Sequence, residues 1–124
     1  MKIKVIYIAG PYRAPTTMGV ADNIRAAERI GMIVAESGAM PLIPHANTGI
    51  VFTGVSNDMF WLAGTLELMR RCDGVVLMDT WARSTGARGE REEALRLGLP
   101  VLDLAERRMS IARWIASIEP KALG

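Results

Sequence analysis

Glu90 is the residue whose chemistry is hardest to assign to folding alone. It closes the stretch Ser84-Thr85-Gly86-Ala87-Arg88-Gly89-Glu90, three residues after Ala87 and four before Ala94, so helical spacing puts all three side chains on one face. With alanines for neighbours, that face is the one turned toward a sheet, where a carboxylate is costly unless it is satisfied or used. A capping box ending at Glu90 needs Ser or Thr at 87, where alanine stands. A partner for the helix macrodipole needs no inward face. An inward carboxylate suits nucleophilic or acid/base work. Arg88, Glu92 and Arg96 step by four along another face and predict a solvated ion-pair ladder.

Other residues of chemical interest surround it in the sequence. Gly86 and Gly89 leave backbone bare at the helix entrance, either as an anion site to which Ser84 adds a hydroxyl or as ordinary turn chemistry. Gly10-Pro11-Tyr12-Arg13 puts an aromatic ring and a cation just beyond an apolar run; Tyr12 can stack on a ligand and Arg13 can pair with phosphate, or both are ordinary loop residues. His45 and Asn47, in Pro-His-Ala-Asn-Thr, can read the edge of a base, or His45 bonds only to backbone. Asp79 ends an apolar strand and is the second candidate for acid/base work, whereas Asp58 opens a helix and is first a cap. Cys72 and Asp73 begin a strand at the far edge of the sheet and are expected to be structural. Neither a Gly-Lys-Ser/Thr nor a G-x-G-x-x-G stretch occurs, so the triphosphate and dinucleotide fingerprints are missing.

The elements that must position these residues alternate. Lys2 to Ala9 is a β-branched run ending at Gly10-Pro11 and predicts a strand. Gly19 to Ser37 has helical periodicity and stops at Gly38. Met40 to Ile43, interrupted by prolines, predicts a short strand near an edge. Asn57 to Arg71 predicts a helix apolar on all sides, which calls for a second partner. Asp73 to Met78 is a strand of the kind buried inside a parallel sheet, Gly86 to Leu97 a helix, Pro100 to Leu104 another buried strand, and Ser110 to Ile118 a closing helix capped by Ser110. The alternation predicts one domain over residues 1–124. Its fold is a three-layer α/β architecture of the flavodoxin/Rossmann type: an open parallel sheet of four or five strands in the order 2-1-3-4, with helices on both faces. Ligands of such sheets sit beyond the carboxyl ends of the strands where connections diverge, here between the loops Gly10–Met18 and Asp79–Thr85.

Composition narrows the function classes. The chain has 124 residues with Lys+Arg 15 against Asp+Glu 13, a net charge of +2, so coating of a nucleic-acid polymer is not expected. One cysteine forbids an internal disulfide and points to a cytoplasmic protein, and one histidine with one cysteine cannot build a four-ligand zinc site. The run Ile3 to Ala9 is too short for a membrane span and lacks a cleavage site for export. Neither a metal nor a cofactor is expected. The apolar helix at 57–71, the eight methionines and Trp61 predict a homo-oligomer.

Four stretches, YIAGPYR, PLIPHANT, LELMRRCDGVVLMDTW and STGARGE followed by EEALRLGLPVL, together resemble the nucleoside 2-deoxyribosyltransferase-like superfamily, in particular its small phage- and bacteria-associated branch. The most specific part is Trp81-x-x-Ser84-x-Gly86-x-x-x-Glu90 after the Cys72-Asp73 strand. The resemblance implies cleavage or exchange of the N-glycosidic bond of a (deoxy)nucleoside or its 5′-monophosphate. Glu90 matches the nucleophile at the anomeric carbon, and Ser84 with the Gly10–Arg13 loop matches the residues holding the 5′ end. Arg13, with Arg83 or Arg88, favours a 5′-phosphate. Trp81, Gly86, Tyr12, Pro11, His45 and Asn47 complete the expected substrate contacts, with Asp79 as the acid/base partner. Characterised members carry an aspartate in the helix before the central strand, and Thr65 occupies that place. Asp58 or Asp79 then substitutes, or the base leaves with less help, or the protein binds nucleotides as a sensing module without turning them over.

Overall fold

The computed structural model describes residues 2–44, 46 and 58–121. Four parallel strands form one sheet: β1 (Val5–Ala9), β2 (Met40–Leu42), β3 (Gly74–Leu77) and β4 (Val101–Asp103), in the order β2-β1-β3-β4. Register is set by pairs such as Tyr7 with Leu42 and Val75, and Val76 with Leu102. The helices are α1 (Thr17–Glu36), α2 (Asp58–Arg70), α3 (Thr85–Arg96) and α4 (Ile111–Ser117).

Strand alternation divides the core in two. Ile6, Ile8, Val76, Met78 and Leu102 pack against Ala27 and Val34 of α1 and Ile111, Trp114 and Ile115 of α4. Tyr7, Ala9, Val75 and Leu77 face the other way, against Met69 of α2, Cys72 and Ala94 of α3. The sheet is thus covered on both faces, as a run of buried apolar strands demands. It also means that every odd-numbered residue of β1 looks toward the face where α3 lies. Tyr7 is one of them.

Helix ends follow local chemistry more closely than periodicity does. Thr16 caps α1 by accepting from the Gly19 amide at 3.0 Å, two residues before the apolar pattern begins. Gly38 and Gly98, with φ of 88° and 72°, terminate α1 and α3 in a left-handed turn; the amides of Ala39 and Leu99 then reach back to the carbonyls of Val34 and Ala94 at 3.2 and 3.0 Å. β2 is an edge strand, which its proline permits.

Three expectations need correction. α3 begins at Thr85 with Ser84 as its cap, so Glu90 lies in the second turn, out of reach of the strongest macrodipole field. The ladder of Arg88, Glu92 and Arg96 does not form. Arg96 pairs with Glu93, three residues before it, and Arg88 folds back over the start of its own helix, with 3.0 Å to the Ala82 carbonyl and 3.2 Å to the Thr85 hydroxyl. A step of three brings Glu93 onto the surface strip where Arg96 lies. Finally, β4 is the other edge of the sheet, and only Leu102 of its three residues is buried.

Candidate active site

β1 and β3 are neighbours, yet the chain leaving β1 turns toward β2 through α1 while the chain leaving β3 turns toward β4 through α3. The divergence opens a crevice at their carboxyl ends. Three structures border it: the loop after β1, the short 3-10 turn Trp81–Arg83 after β3, and the start of α3.

Within α3, Ala87 and Ala94 are fully buried, so the face they share with Glu90 is the inner one. Glu90 meets Tyr7 there: the phenol donates a hydrogen bond to Oε2 of the carboxylate. Burial pushes the Glu90 carboxyl up to about 7, and the hydrogen bond from Tyr7 restrains the rise. Burial and the adjacent carboxylate in turn drive the Tyr7 phenol well above its usual value, so it stays protonated and remains a donor. Thr65 of α2 stands close enough to act on the same phenol, and its own hydroxyl donates to the Leu62 carbonyl at 3.0 Å. Three elements therefore meet at one carboxyl.

Tyr7 escaped the sequence reading because it looks like one more apolar position in a buried strand. The available signal was its phase: an aromatic hydroxyl at an odd position of β1, on the face that α3 covers. Asn23 of α1 was also missed. Its side-chain amide donates to the Tyr12 carbonyl at 3.0 Å and lies 3.5 Å from that of Arg13, fastening the loop after β1 to the helix that follows.

The remaining expected residues are distributed as follows. Gly10 is buried against Met78: a Cβ there would come within 2.2 Å of the Met78 sulfur, so packing alone demands glycine. Pro11 and Tyr12 are half-buried and Arg13 is exposed on the loop beyond it. The Ser84 hydroxyl oxygen accepts from the Ala87 amide at 3.1 Å, leaving its proton available, and the first-turn amides of Thr85 and Gly86 have no acceptor within the helix. A side chain at Gly86 would meet little, with the Ser84 oxygen at 3.8 Å the nearest atom. Trp81 turns toward β4: its indole N–H donates to Asp103 at 3.0 Å, and the Arg91 guanidinium lies 5.1 Å from its ring centre. Asp79 is exposed at the end of β3, and among the described residues no contact joins it to Glu90. The expectations for His45 and Asn47, and for the side chain of Asp58, fall outside the described residues.

Cys72 is buried, its thiol donating to the Leu68 carbonyl at 3.3 Å and pushed up to about 12 by burial and by Asp73, so it is a poor nucleophile. An open hollow of about 360 Å³ lies along β4, lined by Arg91, Leu95, Asp103 and Met109 among others, and does not reach Glu90. Among the described residues, no three of His, Cys, Asp and Glu are grouped to hold a metal ion. No described helix is long and apolar enough to cross a membrane.

Fold and site define a three-layer parallel α/β protein with a buried carboxyl under the crevice of its sheet. Residues 4–103 match the family described as Domain of unknown function (DUF4406), and the chain belongs to that family. No curated protein matches it.

Proposed function

We propose that this protein breaks the N-glycosidic bond of a nucleoside or nucleoside 5′-monophosphate, with Glu90 as the nucleophile at C1′. The observation that carries the reading is the Glu90 carboxyl itself, buried, joined to Tyr7, and raised to about 7. A carboxyl near neutrality is ionised in a large fraction of molecules at working pH, yet its desolvated oxygens remain reactive toward an electron-deficient carbon. As the C1′–N bond stretches, the sugar takes on oxocarbenium character, and a carboxylate held beneath it stabilises that charge and then closes on it. Tyr7 keeps the attacking group oriented. The amides at the start of α3, the Ser84 hydroxyl and Arg13 are grouped around the same crevice and suit a 5′-phosphate. The likeness of the sequence to the nucleoside 2-deoxyribosyltransferase-like superfamily supports the same assignment.

The test is release of free base from a panel of nucleosides and 5′-monophosphates, followed by chromatography, for the native chain beside Glu90→Ala. Release should fall by about 10³-fold or more in the variant, as for loss of a covalent nucleophile. Undiminished release would remove Glu90 from the role. Tight nucleotide binding without release would make the protein a sensing module instead. An added foreign base that captures the sugar would mark a transferase, and sugar recovered only with water a hydrolase.

The same reading includes self-association through α2, where Met59, Phe60 and Leu62 are 74%, 57% and 46% exposed. Light scattering at micromolar concentration should report a dimer or larger; a monomer would exclude it.

A further inference from the structure

The described residues bring two hydroxyl groups to the Glu90 carboxyl, that of Tyr7 directly and that of Thr65 behind it. Neither is suited to giving up a proton. The Tyr7 proton is already engaged on the carboxylate, and burial beside that charge holds the phenol firmly protonated. The Thr65 proton is directed at the Leu62 carbonyl. The next inward positions of α2, Leu66 and Met69, are apolar members of the core on that face. A neutral purine or pyrimidine departs from C1′ as an anion unless something protonates it, and the acid that does so is worth about 10²–10⁴-fold in rate.

Charge points the same way. The ion pairs formed by the described residues are surface pairs, among them Arg25 with Asp22, Arg70 and Arg71 with Glu67, and Arg96 with Glu93. The Glu90 carboxyl, by contrast, has the neutral phenol of Tyr7 for a partner. A lone carboxylate in a low-dielectric site attracts a cationic ligand strongly and gains most from one that also stacks on apolar walls.

From this geometry we infer that the natural substrate carries a fixed positive charge on its heteroaromatic base, as a pyridinium or N7-alkylated purine nucleoside or nucleotide does. The inference rests on the proposed function and specifies its substrate. An oxygen of Glu90 forms a bond to C1′ while the C1′–N bond breaks; its electron pair passes to the ring nitrogen, whose positive charge it neutralises. The base departs neutral and needs no proton. Water then adds at C1′, the ester bond to Glu90 breaks with its electrons returning to the carboxylate, and the proton of the water passes to solvent.

Matched substrates test this with the full chain: 7-methylguanosine against guanosine, and nicotinamide riboside against uridine, each also as the 5′-monophosphate. The cationic member of each pair should be hydrolysed with kcat/KM at least about 10²-fold higher, the lower bound of the help that a missing acid withholds. Activity on the methylated purine alone or on the pyridinium alone identifies which cation the site accepts. Equal or faster hydrolysis of the neutral members overturns the inference while leaving Glu90 its proposed role. Release from none of them overturns the proposed function as well. Thr65→Asp adds a carboxylic acid beside the Tyr7 hydroxyl and should raise the rate on guanosine by about 10-fold or more while leaving 7-methylguanosine within about two-fold. A uniform change on both would count against the inference, and the native comparison decides the matter if that variant does not fold.

Discussion

Asp73 and Glu90 are both carboxylates drawn in from solvent, one at the amino ends of β1 and β3 and the other beneath the crevice at the opposite end of the sheet. Asp73 is 9% exposed and fully engaged: Oδ2 accepts from the Val5 amide at 2.7 Å and Oδ1 from the Lys121 amide. Two backbone donors from distant parts of the chain make it a clasp that ties the first strand and the C-terminal segment to β3. Lys121 strengthens the closure by donating from its ammonium group to the Arg70 carbonyl, and Lys4 does the same to Ile115 at 2.6 Å. Glu90 has a single neutral donor on one oxygen and burial on every side. A carboxylate supplied with amide donors stabilises the native state; one left short of them is held ready for something that is not part of the chain.

Substitutions at the two positions should therefore act with opposite sign. Asp73→Ala orphans the Val5 and Lys121 amides and should destabilise by about 2–5 kcal/mol in urea titration; a change under about 1 kcal/mol would show that water replaces the clasp. Any activity remaining per folded molecule should be unaltered. Glu90→Gln should instead leave stability intact or raise it, because a desolvated charge is removed.

The pH dependence sharpens the contrast. The folded-state value for Glu90 lies above its unfolded value, about 7 against 4.5, so its contribution to stability is complete below 4.5 and is lost as pH rises through about 7. The full loss is on the order of 3 kcal/mol. The midpoint of thermal unfolding of the native protein should thus fall between pH 5 and pH 8 relative to Glu90→Gln, whose glutamine does not titrate. Base release should rise over the same interval, since attack needs the ionised form. Parallel pH profiles for the two proteins would rule out a raised Glu90. Tyr7→Phe removes the donor that favours the ionised carboxylate. The rising limb of its rate profile should move to higher pH, with about a 10-fold lower rate at pH 7 and folding stability lowered by only about 1 kcal/mol. An unchanged limb would leave Tyr7 a packing residue.

What the sequence disclosed and what it hid follow from the range of the interactions involved. The order of strands and helices was legible because apolar periodicity is local, and the 2-1-3-4 order follows from packing parallel strands with helices on both faces. The inward face of α3 was legible for the same reason, since Ala87, Glu90 and Ala94 belong to one helix. The Tyr7–Glu90 pair spans 83 residues of sequence and depends on the register of β1 against α3, to which no local pattern points. Likewise, Arg88 was assigned a partner by spacing, but the carbonyl left over by the turn Trp81–Arg83 competes for its guanidinium. The start of α3 was misplaced by one residue because Gly86 drew attention away from the cap at Ser84.

The smallest expected effect distinguishes a cap from a ligand contact at that last residue. Ser84 accepts from the Ala87 amide through its side chain, as Thr16 does from Gly19 and Ser110 from Arg113 at 3.1 Å. If capping is the whole of its role, Ser84→Ala and Ser110→Ala should each cost about 1 kcal/mol of stability and affect the affinity for a nucleotide equally little. If its hydroxyl proton also meets a 5′-phosphate, Ser84→Ala should weaken binding of a 5′-monophosphate about 10-fold and leave the corresponding nucleoside within about two-fold. Ser84→Gly, which retains most of the capping preference, isolates the second effect from the first: calorimetric titration of both ligands into that variant should show the phosphate-dependent loss with little change in unfolding midpoint. Equal weakening of nucleoside and nucleotide would place the phosphate elsewhere along the crevice, nearer Arg13 than the start of α3.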